Sequence, residues 1–96
     1  MILEAFICHI KAGEESAYET ALHDAVPLIS AMKGFQSITL QHCLETPGQY
    51  LILIYWDTLE DHTVGFRGSA EYQEWRKRLH HFYEPFPVVD HYVRVF

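Results

Sequence analysis

Residues 49–75 read QYLILIYWDTLEDHTVGFRGSAEYQEW. The first eight, Gln49 to Trp56, are apolar on both faces of the strand they form, so both faces need cover. A layer of helices can cover one. A chain of 96 residues has nothing left to build a second sheet for the other, so the second layer is expected from another copy of the chain. From Trp56 to Trp75 the pattern changes. Thr58 with Asp61 resembles a capping box and opens a short helix over 59–66. Gly65 and Gly68 loosen the link that follows. Ser69 then caps a helix over 70–82, with Glu71 in its first turn.

Working outward, residues 2–10 read as a strand in which Ile2, Leu3, Phe6, Ile7, Cys8 and Ile10 are interrupted by Glu4 and His9. Gly13, Glu14 and Glu15 open a helix with acid at its positive end. Its apolar stripe is Tyr18, Ala21, Leu22, Ala25, Leu28, Ile29 and Met32, at the 3.6-residue period. Pro27 is expected to kink it or to begin a second short helix, and Gly34 to end it as a C′ residue. Phe35 to Leu44 alternates as a second strand, and Thr46 to Gln49 supplies the turn chemistry of a hairpin. Pro85 and Pro87 stop the last helix, and 88–96 reads as a fourth strand. The order β-α-β-β-α-β predicts one α+β domain over 1–96, ferredoxin-like, with helices on one face of a four-stranded antiparallel sheet. The usual strand order (fourth, first, third, second) keeps the strands bearing Cys8 and Cys43 apart, which argues against a disulfide.

Nearly half the residues are apolar, with six Phe, six Tyr and two Trp. That load is large for so small a surface and again predicts a homodimer. Thirteen Asp and Glu against seven Lys and Arg give a net charge of −6 without any basic run, which argues against nucleic acid as a partner. The longest apolar run, Tyr50 to Trp56, is too short to span a membrane. The N-terminus has no basic region or cleavage site and reads as a strand, not a signal peptide. Two cysteines without a CxxC pattern are expected as buried thiols of a cytoplasmic protein.

The chemistry concentrates after Trp56. Projected on a helix, Leu59, His62, Thr63 and Phe66 share one face. His62 therefore looks toward the sheet from an apolar face, as a core histidine or as a neutral base in a pocket. On the next helix the stripe is Tyr72, Trp75, Leu79 and Phe82, which is either ordinary core or the wall of a pocket for a planar aromatic molecule. Arg67 and Arg76 either pair with surface carboxylates or hold an anionic oxygen. Seven histidines invite a metal reading, but none stands at zinc spacing, so no metal is expected.

A strand ending in Trp56, then Leu59-Glu60-Asp61-His62, Phe66-Arg67-Gly68-Ser69, Tyr72 and Trp75, and later Phe82-Tyr83 and His91-Tyr92, resembles the antibiotic biosynthesis monooxygenase (ABM) domain family. The resemblance covers essentially the whole chain and is densest over 50–92. It implies a homodimeric α/β barrel made by two ferredoxin-like sheets packed face to face, with a pocket in each protomer between sheet and helices. The family hosts cofactor-independent oxygenases of anthrones and quinols, haem-degrading enzymes and isomerase-like members. The haem branch resembles itself in an Asn on the first strand, a Trp on the short helix and a ligating His one helix later. Alignment on Gly13 and Ser69 puts Phe6, Phe66 and Arg76 there, and the chain has no Asn, so that triad does not carry over.

The cofactor-free branch asks for a water-poor pocket, a base, and dipoles that favour an oxyanion. The residues then expected in those roles are His62 as base, Arg76 or Tyr72 at the oxyanion, and Trp56, Phe66, Trp75 and Phe6 around the substrate. The expected function is a cofactor-independent monooxygenase of a small hydroxyaromatic or quinol. The alternative is a non-catalytic dimeric module that binds a small apolar molecule.

Overall fold

The apolar segments fold into β1 (Ile2–His9), β2 (Phe35–His42), β3 (Gln49–Trp56) and β4 (Asp90–Tyr92). The computed structural model describes residues 1–96. All strand pairs are antiparallel, in the order β2-β3-β1-β4. Helices α1 (Glu15–Ser30) and α2 (Ala70–Leu79) follow β1 and β3. This is the β-α-β-β-α-β order expected of a ferredoxin-like fold.

Alternation decides which side chains meet the helices. Glu4, Phe6 and Cys8 of β1 and Tyr50, Ile52, Ile54 and Trp56 of β3 point inward and are buried. There they pack with Tyr18, Leu22, Ala25 and Ile29 of α1 and with Trp75 and Leu79 of α2. Burying each of these large side chains contributes roughly 1.5–3 kcal/mol. The opposite face of the sheet has no such layer. Ile7 is 50% exposed, Tyr55 41% and Tyr92 55%.

Several local expectations need correction. Helix α1 continues through Pro27 to Ser30, and no second helix begins there. Pro27 fits because its fixed φ is helical, and the carbonyl it leaves free belongs to exposed His23. Gly34 is not the C′ residue, since the helix ends earlier. It sits at φ +84° in the turn into β2, where an added Cβ would collide with the Asp61 side chain. Strand β1 stops at His9, with Ile10 bridging to Tyr83. Strand β2 stops at His42, which leaves Cys43 outside it and half-buried. Helix α2 stops at Leu79 and is followed by a 3₁₀ turn at His80–Phe82. Of residues 88–96 only 90–92 pair, because β4 is an edge strand that meets only Leu3, Glu4 and Ala5 of β1.

The short helix over 59–66 is also different in kind. It is a π-helical turn over Asp61–Phe66. Thr58 Oγ1 accepts a hydrogen bond from the Asp61 amide at 3.1 Å, and Arg67 N–H donates to the His62 carbonyl at 3.1 Å, five residues back. The wider turn keeps His62 and Phe66 buried while Leu59 is 38% exposed. Single π turns of this kind recur at functional sites. Ser69 caps α2 as expected, accepting from the Tyr72 amide at 3.1 Å.

Candidate functional site

Three elements converge where β1 passes beneath the π turn. Glu4 lies in the middle of β1, paired with Ile54 on one side and with His91 on the other. Because paired residues share a face, Glu4 and His91 both point toward the helices. The π turn lowers His62 onto them. His62 Nε2 lies 3.3 Å from Glu4 Oε1, and His62 Nδ1 lies 2.8 Å from His91 Nε2. The Trp56 indole N–H donates to the same Glu4 oxygen at 2.9 Å. The His62 ring stacks on Trp56 with centroids 5.6 Å apart.

Beside this line is a cavity of about 40 Å³ between the sheet and the helices. Glu4, His62 and Arg67 supply polar lining, joined by His80 from the end of α2. Phe6, Phe66, Tyr72 and Trp75 supply aromatic walls, and Tyr83, Phe86 and Pro87 close the far side. Phe66 sets its ring edge-on to both Tyr72 and Trp75. The volume is close to that of a single water, and an aromatic ring needs on the order of 150 Å³. A substrate-sized molecule therefore enters only if the wall moves. Phe86, 61% exposed and in ring contact with His80 and Tyr83, is the most exposed aromatic of the lining.

Burial dominates the electrostatics. It raises the Glu4 carboxyl to about 7, against the smaller opposing pulls of the Trp56 hydrogen bond and the Arg67 charge. Burial, with the charges of Arg67 and His91 behind it, lowers His62 to about 3, so its ring is neutral at physiological pH. Burial and Arg67 also lower His91, which Asp90 pulls partly back. Tyr83 shares a 3.1 Å hydrogen bond with buried Tyr18, and burial drives both hydroxyls well above their ordinary range.

The structure brings together five of the seven side chains singled out in the sequence: His62, Tyr72, Phe66, Trp75 and Phe6. Trp56 is fully buried behind the wall and reaches the site through its N–H on Glu4 and its ring contacts to His62 and Phe66. Arg76 lies on the exposed side of α2, bonded to Gln73 at 3.3 Å and away from the cavity. Its helix presents Tyr72 and Trp75 inward, which turns Arg76 to solvent. Arg67, just past the π turn, is the arginine that lines the cavity.

Glu4 and His91 were not singled out. Glu4 did leave a signal, because it shares the inward phase of β1 with Phe6 and Cys8. A carboxylate at a core position of a strand needs a partner. His91 left only its place in the family pattern, since its inward phase follows from pairing with β1.

The family model for antibiotic biosynthesis monooxygenase matches residues 1–78. The uncharacterised protein YczJ of Bacillus subtilis (strain 168) is 53% identical over 92 residues, which is 96% of this chain and 97% of that protein. Among solved structures, a Bordetella bronchiseptica protein, an antibiotic biosynthesis monooxygenase by assignment only, superposes with a TM-score of 0.94 at 32% identity. That match covers 99% of this chain and 97% of the other. SnoaB, a cofactor-independent oxygenase from Streptomyces nogalater, superposes at 0.85 with 9% identity over 99% and 93% of the two chains, a likeness of fold alone.

Proposed function

Because the chain belongs to the antibiotic biosynthesis monooxygenase family, we propose that it is a cofactor-independent monooxygenase of a small hydroxyaromatic or quinol. The observation that carries this reading is the meeting of Glu4, His62 and Arg67 at one wall of an otherwise aromatic cavity. SnoaB, of the same fold, is a cofactor-independent oxygenase, which supports choosing this chemistry from those the family hosts.

In the proposed reaction a substrate hydroxyl gives its proton to the polar wall. His62, neutral and buried, stands on that wall and takes part in moving the proton. The resulting anion is held by the Arg67 guanidinium, in the role expected of Arg76, with Tyr72 also lining the cavity. One electron passes from the anion to O₂, the two radicals combine in a C–O bond, the peroxide takes up a proton from the polar wall, and loss of water, which carries off the hydrogen of the same carbon, leaves a carbonyl. One oxygen atom enters the product and the other leaves as water. Phe6, Phe66 and Trp75 stack around the ring and exclude bulk water, and Phe86 moves aside to admit it.

The active unit in this reading is a homodimer. Leu3, Ile7, Leu51, Leu53, Tyr55 and Tyr92 share the sheet face that the helices leave open, and a second copy laid on that face would bury it. Two free thiols fit a reducing, cytoplasmic setting.

Oxygen uptake with a panel of anthrones and quinols tests the function. Wild-type protein should consume O₂, and His62→Ala should lose at least 100-fold in kcat/KM. Normal turnover by His62→Ala would sink the proposed role of His62. Saturable binding of the panel without turnover would indicate a binding module, and product formed without O₂ an isomerase.

A further inference from the structure

We propose that Glu4 takes the substrate proton and that Glu4, His62 and His91 form a relay carrying it from the cavity to solvent at the edge of the sheet. The proposal rests on the cavity being the substrate site and adds the route by which the proton leaves.

The geometry supplies a continuous line. Glu4 is on the cavity wall, His62 stands 3.3 Å from it, and His91 stands 2.8 Å beyond His62. His91 does not line the cavity and is only half-buried on the edge strand β4. The inner end of the line therefore faces the reaction and the outer end faces water.

The chain has two complete proton arrangements. In one, the Glu4 carboxyl proton points to His62 Nε2, and His62 Nδ1–H donates to His91 Nε2. In the other, Glu4 is a carboxylate facing His62 Nε2–H, and His62 Nδ1 accepts from His91 Nε2–H. Moving each proton one bond along converts the first into the second and leaves a proton on His91. His91 then releases its Nδ1 proton to solvent, and the line runs in reverse when the peroxide formed from O₂ takes up a proton, which resets both rings to the first tautomers and leaves Glu4 a carboxylate for the next substrate. No buried group holds a net charge alone in either resting arrangement except Glu4, which then has the Trp56 N–H and the nearby Arg67.

The proton affinities fit this division of labour. A carboxyl held at about 7 is matched to physiological pH as an acceptor. A histidine held at about 3 passes a proton without keeping it. The groups that face the relay are few. They are Trp56 from β3, Arg67 after the π turn, Asp90 on β4, the Tyr72 side chain on α2, and His80 and the Tyr83 hydroxyl just beyond it. Arg67 is the cation among them, and Asp90 is the one further carboxylate.

Two measurements on the ligand-free protein decide the relay whether or not a substrate is turned over. The infrared band of a protonated carboxyl should persist to about pH 7 in the wild type and be absent from Glu4→Gln. The His91 ring nitrogens, followed by ¹⁵N NMR, should show an inflection at that same pH that disappears in Glu4→Gln. A His91 titration identical in the two proteins would overturn the relay. In turnover, Glu4→Gln should lose 100-fold or more in kcat with little change in KM. His91→Ala should lose about tenfold and recover when imidazole buffer is added, because a small base replaces the proton exit. Wild-type rates in Glu4→Gln, or a slow His91→Ala that buffer does not rescue, would overturn it equally. Silence toward every substrate, with the carboxyl and His91 titrations linked, would instead count against the oxygenase reading alone.

Discussion

Replacing Glu4 by Gln should stabilise the protein at alkaline pH and leave it unchanged in acid. Glu4 is 5% exposed, and its carboxyl is raised from 4.5 to about 7 by burial. Below about pH 4.5 the group is protonated both folded and unfolded, and its contribution to stability is complete. As pH rises toward 7 the unfolded chain has released a proton that the folded chain still holds, so that contribution is lost. At about 1.4 kcal/mol per pH unit, the loss by pH 8 is roughly 3 kcal/mol.

His62 acts in the opposite sense. Its lowered value, about 3 against 6.5, gives a contribution complete above pH 6.5 and lost as pH falls toward 3. The two slopes oppose between pH 4.5 and 6.5, so the wild type should have a broad plateau there. Gln keeps the shape of the protonated carboxyl and an oxygen for the Trp56 N–H, but it cannot ionise. Titrating groups away from Glu4 and its two histidine neighbours are common to both proteins and drop out of their difference. Thermal unfolding at pH 4.5 and pH 8 should show Glu4→Gln gaining on the wild type by roughly 3 kcal/mol, a shift in Tm on the order of 10 °C or more for a domain of this size. A difference that does not grow with pH would refute the reasoning. A variant weaker at pH 8 than at pH 4.5, relative to wild type, would mean that Glu4 is ionised and paired with a charged His62.

Gly34→Ala should destabilise the fold by about 1–2 kcal/mol in urea titration, because φ is +84° there and the new Cβ meets Asp61. Since Asp61 opens the π turn, the variant should also disturb the His62–His91 contact, visible in ring ¹⁵N shifts. Ile7→Lys on the open sheet face should convert the dimer to a monomer in sedimentation. A wild-type protein that sediments as a monomer at micromolar concentration would undo the sheet-against-sheet reading. Arg67→Ala should lower kcat/KM by about 100-fold, roughly the worth of one charge-assisted contact to an oxyanion. Arg76→Ala should stay within about twofold, and the reverse order would return the oxyanion role to Arg76.

What the sequence determined by itself is what depends on neighbours along the chain. Alternation set the inward and outward faces of the strands. Thr58 and Ser69 marked where turn and helix begin, because a capping hydroxyl acts over two or three residues. The family's pattern between Trp56 and Trp75 was legible for the same reason. His62 and Phe66 are four apart, and either an α or a π turn places them on one side. The π form itself was not legible, since it differs from an α turn only by one added residue in the hydrogen-bonded ring.

Tertiary structure decided what depends on register and on rotation about an element's axis. Arg76 was the arginine expected at the oxyanion, but the burial of Trp75 turns it outward and leaves Arg67 lining the cavity. Cys43 read as a strand residue until β2 ended one residue short of it. Glu4, His62 and His91 come from three elements far apart in sequence. They meet because β1 pairs Glu4 with His91 and the π turn sets His62 between them. Strand register is a long-range choice, fixed by which faces bury together. The sequence therefore supplied the chemical groups, and only the folded sheet could line them up.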